Sequence, residues 1–126
     1  MPRLTFSRQV RVRRRSEFTA CYERGKRYHT EHFILFVLPR ECEGPSRTGM
    51  AVSRKVGNAV TRNRVKRLLR EFFRLHMASL PPGVDVVAVA KRQAGEASLD
   101  LADVEAQFMP LLRRLVRIKP SSVSRL

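Results

Sequence analysis

Acidic residues are scarce in this sequence, which has 11 aspartates and glutamates against 26 lysines and arginines and a formal net charge of +15 over 126 residues. A compact state with that charge repels itself, so we expect a strongly anionic partner such as RNA, DNA or an acidic membrane surface. Long hydrophobic runs are also missing. No apolar segment approaches the roughly 20 residues that a membrane-spanning helix needs, and the N-terminus lacks an apolar signal-peptide core. These absences argue against a membrane partner and predict a cytoplasmic protein.

Cysteine and histidine are few as well, with two and three residues respectively. Cys21 and Cys42 are too few for a disulfide scaffold. His29, His32 and His76 are scattered and do not have the spacing of a zinc site, so each is interpreted as structural. The sequence also has no recognisable nucleophile elbow, paired acids or phosphate-binding loop. No catalytic site carried by the protein itself is therefore predicted.

The residues that are present predict one folded domain. Hydrophobic residues make up 43% of the chain, which is enough for a packed core and too many for a disordered tail. The length suits a single RNA-binding domain over residues 1–126. Residues 1–15 are expected to form a basic arm, extended or loosely docked, and residues 118–126 a flexible tail.

Hydrophobic patterning and turn residues predict an α+β fold with a single mixed sheet packed against helices, in the order α-β-β-β-α-β-α. Ser16 with Glu17 is expected to open the first helix and Gly25 to close it. The apolar segments 32–38 and 48–53 are predicted to be strands that pair as a hairpin, and the valine-rich run 84–90 a strand buried on both faces. Two further helices are predicted over 61–77, capped by Thr61, and over 99–115, with Pro110 bending or dividing the latter.

The predicted helix over 61–77 is the most informative segment because its charge is so one-sided. At about 100° per residue, Val65, Leu69 and Phe72 fall on one arc and the cations spread over the rest, with Glu71 as the one acid among them. Crowded like charges destabilise an isolated helix, and a polyanion would remove that penalty. The alternative is a solvated surface helix, but such helices usually interleave acids with bases. The pattern therefore favours an RNA-docking element.

Aromatic residues and the turn before this helix suggest contacts to single-stranded RNA. Phe18 and Tyr22 lie one helical turn apart, and Phe36 adds a third ring if its strand presents it to the same face. Such rings stack on unpaired bases, although core packing is the commoner role for aromatics at this spacing. The turn from Ser53 to Lys55 brings two cations to exposed backbone amides, which suits phosphate, with an ordinary basic turn equally compatible.

Several segments resemble one known family. The segment 57–71, GNAVTRNRVKRLLRE, resembles the arginine-rich signature of the bacterial ribonuclease P protein subunit, with Arg62, Asn63 and Arg64 as its central Arg-Asn-Arg. The segments RVRRRSEFTACYERGKR and SRKVGN are similar to its opening helix and its strand-to-turn segment, and the valine strand ending at Lys91 is similar to its last strand. The resemblance covers most of the chain outside the arm and the tail.

The resemblance implies a function and a set of site residues. Family members bind a large catalytic RNA, and the holoenzyme removes the 5′ leader of precursor tRNA with Mg2+ held mainly by the RNA subunit, with no protein partner required. It also implies a left-handed β-α-β crossover. The residues implied to face the catalytic RNA are Lys55, Asn58, Arg62, Asn63, Arg64, Lys66, Arg67 and Arg70. Those implied to line a leader-binding cleft are Phe18, Tyr22, Phe36, Ser53, Arg54 and Lys91.

Two other functions fit a small basic protein. A ribosomal protein would bind ribosomal RNA structurally and would sediment with ribosomal subunits. A DNA-binding regulator would need base-reading side chains near the start of the basic helix and usually a dimer, and no dimer seam is visible in the sequence. The expected partners are ribonuclease P RNA and precursor tRNA, with the ribosomal role as the alternative.

Overall fold

The computed structural model describes residues 11, 12, 14–40, 45–76 and 82–124, with side chains described as far as residue 115. The helices are α1 (Arg15–Arg24), α2 (Ala59–His76), α3 (Gln93–Glu96) and α4 (Leu101–Ser124), and the strands are β1 (Lys26–His29), β2 (Phe33–Pro39), β3 (Arg47–Ala51) and β4 (Val84–Ala90). The predicted α+β class and element order are confirmed. The short helix α3 is an addition that the sequence patterns did not indicate.

The four strands form one mixed sheet in the order β1-β2-β4-β3. β2 is antiparallel to both β1 and β4, whereas β3 runs parallel to β4. The predicted hairpin between the second and third strands is therefore wrong. β4 lies between them because its valine run is buried on both faces, which is the environment of a central strand. The connection from β3 through α2 to β4 joins parallel neighbours, as the resemblance implies, and its left-handed sense stays a prediction.

The two faces of the sheet carry different layers. The main core lies on the face covered by α2 and α4, where the rings of Phe33, Phe72 and Phe108 meet edge-on at centroid distances of 5.1 to 5.2 Å. α1 crosses the opposite face, where Cys21 packs with Phe36 in a smaller cluster. The apolar arc predicted for α2 is confirmed, since Val65, Leu69, Phe72 and Phe73 are buried. On α4, the side chains of Val104, Phe108, Leu111, Leu112 and Leu115 are buried in the same core.

Both long helices begin earlier or end later than predicted. α2 is capped by Asn58, whose Oδ1 accepts the main-chain N–H of Thr61 at 2.9 Å, so Thr61 is inside the helix. An asparagine carbonyl satisfies a free N–H of the first turn as well as a threonine does. α4 continues through Pro110 to Ser124, so most of the segment expected to be a flexible tail has a helical backbone.

α1 begins at Arg15, and the side chain of Glu17 in its first turn caps its N-terminus. The main-chain N–H of Arg14 donates to Glu17 Oε1 at 3.0 Å, so Ser16 does not have the opening role predicted for it. Gly25 closes the helix as expected, and its N–H donates to the carbonyl oxygen of Cys21 at 2.9 Å. A Cβ at Gly25 would lie 2.4 Å from that oxygen, so the close approach requires glycine.

The thiol of Cys21 is fully buried beneath α1. Burial, followed by the negative charge of Asp85, raises the pKa of this thiol from 9.0 to about 11. Between those pH values the folded protein keeps a proton that the unfolded chain loses, so this contribution to stability is complete below about pH 9 and falls as the pH rises towards 11.

We expect Cys21 to be unreactive in the native protein because the thiolate is the reactive species. In a Cys42→Ser variant, a thiol reagent at pH 8 should label the folded protein at least about tenfold more slowly than the chain unfolded in denaturant. Equal labelling rates in the two states would mean that α1 does not cover this face of the sheet as described.

Candidate nucleic-acid interface

α2 presents a row of cations that are not neutralised by acids of the described residues. Within residues 14–40, 45–76 and 82–115, the ion pairs of arginines join Arg40, Arg47 and Arg74 to acids, and none involves a cation between positions 62 and 70. Glu71, the acid predicted to interrupt the charged face, is paired with Arg74 at 2.6 Å. Its carboxylate is therefore turned to the last part of the helix, and the preceding turns remain strongly positive.

The residues that the resemblance assigns to the catalytic RNA are brought together on α2 and its leading turn. Most are exposed, whereas Arg62 and Lys66 are half-buried. Within the part of the chain that the structure describes, the buried Nε of Arg62 has no hydrogen-bond partner. Arg64 Nη2 donates to the carbonyl oxygen of Gly95 at 3.3 Å. The exposed members are Lys55, Asn58, Asn63, Arg64, Arg67 and Arg70.

The turn that leads into α2 is held in place by α3. A Cβ at Gly95 would lie 1.8 Å from the carbonyl oxygen of Val56, so only glycine allows the two backbones to approach this closely. Val56 is buried, and its N–H donates to Ser53 O at 3.0 Å. The exposed side chains of Arg54 and Lys55 are thus carried by a turn that packing fixes in position.

The three aromatic rings predicted to form a cleft do share one face of the structure. Tyr22 lies 4.9 Å from Phe36 in an edge-on contact and 6.3 Å from Phe18, measured between ring centroids. Tyr22 is 40% exposed and Phe36 is 8% exposed, so Phe36 supports the ring of Tyr22 from below. Phe18 is half-buried above Gly49, where a Cβ would lie 3.1 Å from its ring. Partial exposure of Phe18 and Tyr22 is the property that distinguishes a stacking role from core packing.

Beside α1, the same face of the sheet carries a row of half-buried apolar side chains, which we call the groove. Its floor is the row in which Ile34 pairs with Val89 and Val89 pairs with Ala51. These three side chains are half-buried. An apolar floor beside an exposed aromatic ring can accept unpaired bases, because base stacking on aromatic side chains does not depend on the identity of the base.

Ser53 and Lys91 lie at one edge of this groove. They follow β3 and β4. These strands are parallel neighbours, so their carboxyl ends lie on the same side of the sheet. The ammonium group of Lys91 donates to the carbonyl oxygen of Thr30 at 2.5 Å. A lysine has three donors, so this contact orients the ammonium group and leaves two N–H bonds for a further acceptor.

A separate cleft is lined by residues of both α1 and α2. It encloses about 210 Å³ and is lined by the end of the N-terminal arm, Phe18, the middle of β3, and Lys66 and Arg70 of α2. The sequence predictions divided these residues between the catalytic RNA and the leader, whereas the structure places them around one cavity. An aromatic ring and two cations around one cavity suit a base attached to its phosphate.

Arg11 and Thr48 also line this cleft, and neither was singled out from the sequence. Arg11 pairs with Thr48 as a parallel bridge next to β3, and the N–H of Val12 donates to Thr48 O at 2.8 Å. The described end of the arm is therefore docked on the sheet. The buried Oγ1 of Thr48 has no hydrogen-bond partner among the described residues. The arginine-rich composition of the arm was the only signal in the sequence, and it did not indicate which arginine would reach the cleft.

An ion-pair network anchors α1 to the sheet and so positions its rings. The carboxylate of Asp85 accepts hydrogen bonds from Arg47 Nε at 2.8 Å and Nη2 at 2.7 Å. Arg47 Nη1 also donates to Glu17 of α1 at 2.8 Å, and Arg40 Nε lies 3.3 Å from Asp85. The hydrogen bond to Asp85 raises the pKa of the Arg47 guanidinium above its usual value, so Arg47 keeps its positive charge at physiological pH.

The chain is similar to known proteins over most of its length. The family model described as Ribonuclease P matches residues 6–116. A protein of Desulfovibrio desulfuricans named ribonuclease P protein component is 67% identical over 123 residues, covering 97% of this chain and 95% of that protein. A second protein with that name, from Oleidesulfovibrio alaskensis, is 47% identical over 86% of this chain and 88% of its own length.

Solved structures agree with these sequence matches. The RNase P protein of Thermotoga maritima, solved in complex with 1-(4-fluorophenyl)-2-thiourea, superimposes with a TM-score of 0.74 at 32% identity, covering 82% of this chain and 98% of that one. An RNase P protein of Staphylococcus aureus gives a TM-score of 0.73 at 25% identity over 82% of this chain and 86% of its own. In the described part of the chain, no helix is both long and apolar enough to cross a membrane.

Proposed function

Since the chain belongs to the ribonuclease P protein family, we propose that it assembles with ribonuclease P RNA, holds the 5′ leader of precursor tRNA and so assists its endonucleolytic removal. The RNA subunit carries the catalysis, and this chain is its accessory protein. The observation that carries the proposal is the cleft that Phe18 lines together with Lys66 and Arg70. The ribosomal alternative is not supported by any of the matched proteins.

The physical basis is charge compensation combined with a grip on the substrate. The catalytic RNA and the precursor are both polyanions, and a folded cation placed between them lowers their repulsion. The unpaired cations of α2 would face the catalytic RNA, and the groove beside α1 would receive the leader. The mature tRNA lacks a leader, so contacts in the groove favour the precursor over the product.

We propose that Mg2+ assists the hydrolysis and that it is bound mainly by the RNA subunit. Mg2+ prefers carboxylate, carbonyl and water oxygens and is commonly held by phosphates. The cleft is lined instead by cationic, aromatic and aliphatic side chains together with one threonine hydroxyl, which is a poor ligand set for this ion. The role of the protein is therefore to bind and orient RNA, and its location is proposed to be the cytoplasm.

A reconstitution tests the proposed function. Catalytic RNA should cleave precursor tRNA faster at physiological Mg2+ when this chain is added, and the gain should shrink as Mg2+ is raised, because excess cations also screen the repulsion. Cleavage at the same rate with and without the chain would contradict the proposal. Binding to ribosomal RNA, with no effect on precursor cleavage, would favour the ribosomal alternative instead.

Replacing Phe18 and Tyr22 by alanine is expected to lower the affinity of the holoenzyme for precursor tRNA by about tenfold. Stacking contributes roughly 1 to 3 kcal/mol per base, and the lower end applies because both rings already pack partly against the protein. Affinity for mature tRNA should not change. Leu75→Ala is a matched control because Leu75 is 39% exposed, close to the 40% of Tyr22. Unchanged precursor affinity in the double variant would exclude the stacking role.

A further inference from the structure

The groove does not end at the aromatic cluster but continues across the outermost strand of the sheet. Arg27 pairs with Phe36, and His29 pairs with Ile34. Cross-strand partners project from the same face of a sheet. The side chains of Arg27 and His29 therefore project from the face on which Tyr22 and Phe36 lie. Arg27 and His29 are exposed. They therefore extend the row of groove residues beyond β2 towards the edge of the molecule.

α1 leaves this end of the face open. The helix ends at Arg24, and the chain passes through Gly25 directly into β1. α1 packs against β2 and β4, whereas Arg27 and His29, the last residue of β1, are both exposed. The opposite face of the same strand is closed in a different way, because Tyr28 is buried there beneath Lys26 and Arg114, whose charged groups lie 5.6 and 5.4 Å from its ring.

We propose that Arg27 and His29 form a further nucleotide-binding subsite, which takes the part of the leader furthest from the cleavage site. The guanidinium of Arg27 would bind a phosphate, and the imidazole of His29 would stack on an unpaired base. Neighbouring strands are about 4.8 Å apart, and successive nucleotides in a stacked strand are about 3.4 Å apart. β1 therefore lengthens the platform by about one nucleotide.

The order of the two subsites follows from the proposed function, on which this inference rests. The cleavage site belongs to the catalytic RNA, which would bind α2. α2 connects to β3, and β3 and β1 are the two opposite edges of the sheet. The leader would consequently enter the groove near β3 and the cleft, pass Phe18 and Tyr22, and reach β1 last.

A series of precursors with progressively longer leaders tests this subsite in the reconstituted holoenzyme. For the wild-type protein, affinity should rise as the leader fills the aromatic part of the groove and rise again when it reaches β1. The Arg27→Ala, His29→Ala double variant should bind short-leader precursors normally and lose about three- to tenfold in affinity for the longer ones. Lys26→Ala is the matched control, because Lys26 is an exposed cation of the same strand on the opposite face.

Three outcomes would overturn the subsite. In the first, the double variant binds every precursor with wild-type affinity. In the second, its affinity falls equally for precursors with short and long leaders. In the third, Lys26→Ala causes the same loss of affinity. The Phe18→Ala, Tyr22→Ala variant separates these failures from failure of the proposed function. If it loses leader-dependent affinity while the β1 variant does not, the groove stands and the subsite is wrong. If neither variant loses leader-dependent affinity, both proposals fail.

Discussion

Replacing Arg64 and Arg67 by alanine should weaken assembly with ribonuclease P RNA by on the order of 100-fold near 0.1 M salt, because each phosphate contact releases condensed counterions. The slope of log affinity against log salt should fall in magnitude by about one for each residue, or about two in total. Both side chains are exposed on α2. Neither has a carboxylate partner among the described residues, so their whole charge is available to RNA.

The control must remove the same charge from another surface. Arg113 and Arg114 are exposed on α4, at a distance from α2 along the chain, and their joint replacement by alanine lowers the net charge equally. If affinity depended only on net charge, the two double variants would show the same loss and the same slope. A wild-type slope in the Arg64→Ala, Arg67→Ala variant would mean that these side chains face solvent.

Asp85→Ala should lower the free energy of unfolding by about 3 to 5 kcal/mol, because it leaves a charge without its buried partner. Asp85 is 3% exposed and holds both Arg47 and Arg40. For a domain of this size the melting temperature should fall by on the order of 15 °C. Glu96→Ala removes the same charge from an exposed position and should change the melting temperature little.

A double-mutant cycle identifies the origin of this loss. If Asp85→Ala destabilises by orphaning Arg47, then removing Arg47 as well should restore part of the stability, and the two effects should be far from additive. Additive effects would show that the network contributes through packing rather than charge. The same variant should also weaken leader binding, since Arg47 connects β3 to Glu17 of α1 and so helps to position the helix that carries Phe18 and Tyr22.

The local structure of the site could be predicted from the sequence because its signals are local. The apolar arc of α2, the burial of the valine strand on both faces and the closure of α1 at Gly25 all follow from short-range patterns. The identity of the cap of α2 was less accessible, since Asn58 and Thr61 are both good capping residues and only the backbone geometry decides between them.

Long-range features could not be obtained in this way. The sequence favoured a hairpin between β2 and β3 because they are consecutive, whereas the structure inserts β4 between them after the crossover through α2. Nor does any pattern place Asp85, an acid within an apolar run, opposite Arg47 and Arg40. For the same reason the cleft that unites Phe18 with Lys66 and Arg70 is visible only in the folded chain.

We propose that the exposed side of α2 binds the catalytic RNA while the groove beside α1 holds the leader. Tethered hydroxyl-radical cleavage tests it directly, with an iron chelate attached to Asn63→Cys, Thr19→Cys or, as a control, Ala102→Cys, all at exposed positions in a Cys42→Ser background. The position on α2 should cut the catalytic RNA, the position on α1 should cut the leader, and the control on α4 should cut neither strongly. Two results would contradict these assignments. In one, the probes on α1 and α2 both cut only the catalytic RNA. In the other, the control probe on α4 cuts as strongly as they do.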